Sequence, residues 1–147
     1  MKLKLLVLLL LTLWIPVTLD KLIDFEAFQA GILRQPFSDT WGHILIYTLP
    51  ILEMLIVLFL LIPSMRYYGI WLSLGLMSAF TTYIGLALAG VWEQLPCGCG
   101  SVISGLSWQQ HFCLNLFFTA VSAAGFYLVK LQRGRAAGSK TAKGLPA

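Results

Sequence analysis

GHILIYTLPILEMLIVLFLLIP, residues 42–63, is polar only at His43, Thr48 and, well inside, Glu53. The hydrocarbon core of a bilayer is about 30 Å thick and takes about 20 apolar residues of helix to cross. This stretch is long enough, and it reads as a membrane span. Glu53 is about ten residues into it, roughly 15 Å at 1.5 Å per residue. A carboxyl at that depth costs a few kcal/mol and is expected to face a bundle interior with a partner. Its two readings are a proton-handling group and a helix-pinning group. The pinning form would be a protonated carboxyl bonded to Asn115 or to a neighbouring serine.

Three further runs of this kind flank it. Residues 4–22 come after Lys2 and are almost unbroken Leu, Val and Ile beyond Lys4, with Pro16 expected to kink the far end. A cleaved leader is the rival reading of this segment, but no small-x-small pair comes after the apolar run, so an uncleaved first helix is expected. Residues 69–90 form another span, in which Gly75, Ser78, Thr82, Gly85 and Ala89 recur at steps of three and four. That seam of small residues is suited to close helix packing. Residues 109–130 form the last span, with Trp108, His111, Asn115, Thr119 and Ser122 as a polar stripe at helical spacing. Between the first two spans, Leu22, Ile23, Phe25, Phe28 and Ile32 alternate with Lys21, Asp24, Glu26 and Arg34. This amphipathic stretch, Asp20 to Gln35, predicts a short interfacial helix ended by Pro36. Ser38, Asp39 and Thr40 supply a cap for the second span.

The composition agrees. The chain has 147 residues, is 59% hydrophobic and is only 11% charged, against about 25% charged in soluble domains. So small a globule cannot bury that much apolar surface, and lipid must solvate the rest. The fold class is an all-α integral membrane protein, a four-transmembrane-helix bundle over residues 1–130. Residues 131–147 are expected to be a basic, irregular cytoplasmic tail. The net charge of +4 is a matter of topology and points to no nucleic-acid partner. Lys2, Lys4, Arg66, Lys130, Arg133, Arg135, Lys140 and Lys143 fall on one side, eight of the ten Lys and Arg. By the positive-inside bias both termini are cytoplasmic, and the loop from Gly90 to Ser107 faces out.

That loop holds Cys97-Gly98-Cys99-Gly100. Outside the cytosol the pair can form a disulfide. Residues two apart can be bridged, but the ring is small, and strained exposed disulfides are the exchange-prone ones. Cys97 and Cys99 are therefore the candidate redox pair. As alternatives they could ligate a soft ion such as Cu(I), Hg(II) or Zn(II), with Cys113 as a third thiolate, or be a loop clip or inert thiols. His111 and Asn115 are four apart and share a helix face. His111 could tune a thiolate, and Glu53 with Asn115 could fix the geometry behind it. Cys113, two residues after His111, is expected to be a small buried residue pointing elsewhere. No cofactor is evident from the residues; a quinone or a soft metal ion is compatible with them.

The order Lys21-Leu22-Ile23-Asp24-Phe25-Glu26-Ala27-Phe28, Pro50-x-x-Glu53, Cys97-Gly98-Cys99-Gly100, and a Trp108-led last helix containing Asn115 resembles the MauE branch of the MauE/DoxX membrane proteins. The resemblance covers about residues 4–130. Two positions depart from it: the Phe commonly written before the last Gly of the cysteine motif is missing, and Leu114 stands where an Arg often precedes the Asn. The resemblance implies a DoxX-like four-helix bundle in a bacterial inner membrane, encoded with methylamine dehydrogenase. It implies a role in maturation, processing or export of the disulfide-rich β subunit of that enzyme, or of a related periplasmic redox protein, alongside a periplasmic thioredoxin-fold partner. The expected activity is thiol/disulfide exchange at Cys97 and Cys99, more a maturation factor than an enzyme. Soft-metal binding or transport is the alternative, and a non-redox membrane assembly factor is the third reading.

Overall fold

A computed structural model describes residues 2–36, 38–91 and 107–143. Five helices account for nearly all of them: α1 (Lys2–Ile23), α2 (Phe25–Leu33), α3 (Asp39–Leu61), α4 (Arg66–Leu88) and α5 (Trp108–Lys143). No strand occurs among the described residues. Helices α1, α3, α4 and the stretch Gln109–Arg135 of α5 are each long and apolar enough to cross a membrane. The four spans expected from the sequence are therefore present, with α3 and α4 beginning about a turn earlier and ending two residues earlier than expected.

Helix formation here needs no amphipathic pattern. In lipid every backbone N–H and C=O must be satisfied within the segment, and a helix does this alone. Between α3 and α4 the break comes at Ile62-Pro63, where proline cannot continue the helix. At Asp24 the side-chain Oδ1 accepts from the Ala27 N–H at 3.3 Å, closing α1 and capping α2. Ser38 stands at the N-cap of α3 with extended backbone but makes no side-chain cap bond.

The bundle is a four-cornered arrangement in which α5 packs on α4, α4 on α3, α3 on α1 and α1 on α5, the α4–α5 pair being the most extensive. Its main core gathers Val7, Leu10, Trp14, Ile56, Leu60, Ile70, Met77, Phe118 and Val121 from all four spans. Helix α2 forms a satellite core, setting Phe28 and Ile32 against Ile46 and Leu49 of α3.

Three expectations need correction. Lys21, at the end of the first span, is buried instead of lying on an amphipathic surface stretch. The small residues of α4 form a packing seam only in part. Gly75, Thr82 and Ala89 are exposed, and a Cβ built on Gly75 meets nothing within 4 Å, whereas one on Gly85 would lie 3.2 Å from the Phe112 ring of α5. The closest approach is at Gly69, outside the expected seam, where a Cβ would lie 3.0 Å from the Leu60 backbone nitrogen and 3.0 Å from the Phe59 Cβ. Finally, α5 runs on to Lys143, where an irregular tail was expected from residue 131.

Candidate functional site

The polar groups inside the bundle lie in layers, and each layer joins different helices. Toward the end of the bundle where α1 begins and α3 ends, the Trp14 indole N–H donates to Ser73 Oγ at 2.8 Å, and the Ser73 and Ser122 hydroxyls meet at 3.0 Å. This buried chain ties α1, α4 and α5 together. One layer on, the Thr81 and Thr119 hydroxyls meet at 2.9 Å between α4 and α5. Near the end where α4 closes and α5 opens, the Tyr83 hydroxyl donates to Gln35 Oε1 at 2.5 Å, holding the segment after α2 against α4.

Between these layers is the one ion pair of the described bundle interior. Lys21 Nζ of α1 donates to Glu53 Oε1 of α3, with side-chain exposures of 3% and 0%. Phe28 of α2 and Phe80 of α4 present their rings to the ammonium, with centroids 5.3 and 5.7 Å away. A cation over a ring face within about 6 Å is attracted by the ring quadrupole. The charge is thus held by a carboxylate and by two rings from two other helices. Glu53 Oε2 and Thr18 Oγ1 are buried with no hydrogen-bond partner among the described residues.

Beside Lys21 a cavity of about 60 Å³ opens between α1, α4 and α5. Trp14, Lys21, Tyr83, His111, Asn115 and Phe118 are among its walls. His111 is half-buried there and Asn115 is buried. The polar stripe of the last span thus does face the bundle interior. Asn115 does not bond to Glu53, however. Its Nδ2 donates to the carbonyl of His111 at 2.9 Å, one turn back on its own helix. The expected partner of Glu53 is thereby corrected from Asn115 or a serine to Lys21.

Cys113 is exposed, not buried as expected, and does not line the cavity. Cys97 and Cys99 lie outside the described residues. Among the described residues no cluster of three or more His, Cys, Asp or Glu could hold a metal.

Lys21 is the residue that sequence reasoning missed. Its signal was present. It is one of only two basic residues on the side that the positive-inside bias leaves poor in charge, and it ends an apolar run. A span that buries one acid calls for one base at matching depth, and Lys21 is the nearest candidate.

A four-span helical membrane protein with an ion pair sealed in its interior is what fold and site define. Within that class, the family described as Methylamine utilisation protein MauE matches residues 2–128, nearly all of the helical domain, and the chain belongs to that family. No curated protein and no solved structure matches it.

Proposed function

We propose that this protein assists the maturation of a periplasmic, disulfide-rich redox protein by thiol/disulfide exchange at Cys97 and Cys99. The observation that carries the reading is the Cys97-Gly98-Cys99-Gly100 motif in the segment joining α4 to α5. Membership of a family described as a methylamine utilisation protein supports it, and the client in this reading is the methylamine dehydrogenase β subunit or a related periplasmic redox protein. In the exchange, a thiolate attacks one sulfur of the partner disulfide and a mixed disulfide forms. A second thiolate then resolves it. Two electrons and two protons pass from the pair that starts reduced to the pair that starts oxidised. A periplasmic thioredoxin-fold protein is the exchange partner in this reading.

The positive-inside bias orients the reaction. With Lys2, Lys4, Arg66 and the α5 extension in the cytoplasm, the α4–α5 segment faces the periplasm of a bacterial inner membrane.

The test is the disulfide state of the client in the native host. A Cys97→Ser/Cys99→Ser protein, present in the membrane at normal level, should leave the β subunit with incomplete disulfides and little accumulated enzyme. Normal client disulfides in that strain would remove the redox role and leave scaffolding.

A further inference from the structure

The cavity beside Lys21 supports a function that does not depend on the cysteines. Its size decides what can occupy it. An apolar cavity that takes a benzene ring measures about 150 Å³, whereas one water needs about 10–15 Å³. At about 60 Å³, this space is too small for an aromatic ring and large enough for several waters. Buried water settles where two to four polar partners are available. The walls supply Lys21, His111, Asn115 and Tyr83. Lys21 carries three N–H donors, and one goes to Glu53 Oε1. The other carboxylate oxygen, Oε2, is fully buried with no hydrogen-bond partner among the described residues. Glu53 is not itself a wall of the cavity, so a proton that this carboxylate binds arrives through Lys21, which lines the cavity and bonds Oε1.

We propose that this cavity holds a water cluster that carries protons between His111 and the Lys21–Glu53 pair, making the pair a proton-binding site in the membrane interior. Lys21 is the relay, since it lines the cavity and touches Glu53. One N–H of the Lys21 ammonium breaks as its proton passes to the carboxylate, forming the carboxyl O–H. The amine left behind takes a replacement proton from cavity water, and His111 returns that proton to the water from its ring. The net result is a neutral Glu53 carboxyl beside a Lys21 ammonium, with His111 refilled from solvent at the α4–α5 end. The titratable groups at this level are Lys21 and the half-buried Asp20 on α1, Glu53 on α3, Tyr83 on α4 and His111 on α5. Helix α2 contributes the Phe28 ring.

The experiment is infrared difference spectroscopy of the full-length protein in lipid nanodiscs, titrated with acid in H₂O and in D₂O. The expected result is a carbonyl-stretch band of a buried protonated carboxyl that grows on acidification and shifts in D₂O. Glu53→Gln should remove the band and Glu53→Asp should move it, so a folding defect in one variant does not decide the matter. His111→Phe/Asn115→Leu, which fills the cavity with apolar atoms, should keep the band but slow its shift in D₂O by an order of magnitude. Cys97→Ser/Cys99→Ser should behave as wild type, so this site and the exchange reaction fail separately. The proposal is overturned by a band that survives in Glu53→Gln, by the absence of any titrating band, or by an exchange rate unchanged when the cavity is filled. Loss of the band in the cysteine variant would also overturn it.

Discussion

Glu53 is the residue on which the interior turns, and its partner determines what a substitution there does. Taking two charges out of water costs several kcal/mol per ion, and mutual attraction repays this only if both stay. Removing one partner leaves an uncompensated buried charge. Glu53→Gln or Lys21→Met should each cost about 3–5 kcal/mol, read as a drop in unfolding midpoint in detergent. Lys21→Met/Glu53→Leu should cost much less than the sum, because the double variant buries no charge. A double variant as unstable as the sum of the singles would show that the two side chains do not interact. The hydroxyl layer is worth less. Ser73→Ala removes the acceptor of the Trp14 N–H and the partner of Ser122, and interhelical hydrogen bonds in membranes average about 0.6 kcal/mol. A loss near 1 kcal/mol, roughly two such bonds, is expected in the same unfolding assay. The depth of Glu53 and the need for a partner were legible in the sequence, because an acid in so long an apolar run has few options. Which partner it takes was not, since Lys21 also fits an amphipathic surface pattern and only the continuation of α1 through Ile23 carries it inside.

At the scale of the helix, length was legible and facing was not. Each span announces itself by an apolar run of sufficient length. Which side of it meets another helix is hidden, because lipid tails are as apolar as leucine and exert no patterning on the outward face. The small residues of α4 illustrate this: spacing alone selected Gly75 and Thr82, which are exposed, along with Gly85, which packs against Phe112, while the tightest contact belongs to Gly69. Substitution separates the two. Gly69→Ala puts a methyl against the Phe59–Leu60 backbone, and overpacking of this kind typically costs 1–3 kcal/mol, here about 2. Gly75→Ala meets nothing within 4 Å and should be neutral or stabilising, since alanine is the better helix former. Thermal unfolding of the two variants side by side reads the difference. Polar residues were better guides than small ones: the stripe of His111, Asn115, Thr119 and Ser122 does face inward, where the Thr119 and Ser122 hydroxyls meet Thr81 and Ser73 of α4.

Taken whole, the molecule is a bundle with its charge distributed unevenly along the membrane normal. Helix α5, at 36 residues, is about 54 Å long at 1.5 Å per residue, well beyond a hydrocarbon core of about 30 Å. Its excess length carries Lys130, Arg133 and Arg135, and Arg133 stacks over Tyr67 with its guanidinium carbon 4.5 Å from the ring centroid. On the proposed orientation this extension is cytoplasmic. In a cysteine-free background, a cysteine introduced by Lys140→Cys should resist a membrane-impermeant maleimide in intact spheroplasts and react after lysis, and one introduced by Arg34→Cys should react in both. The opposite pattern would invert the topology and move Cys97 and Cys99 to the reducing side, where a standing disulfide is rare.

On the proposed function, Cys97 and Cys99 exchange disulfides with a protein partner. Acid-quenched, thiol-blocked membranes from the native host, carrying Cys97→Ser or Cys99→Ser and separated without reductant, put that exchange to the test. One variant should trap a reducible adduct with a thioredoxin-fold protein or a dehydrogenase subunit, because the sulfur that would resolve the mixed disulfide is gone. No adduct from either variant, with client maturation at wild-type level in both, would contradict it.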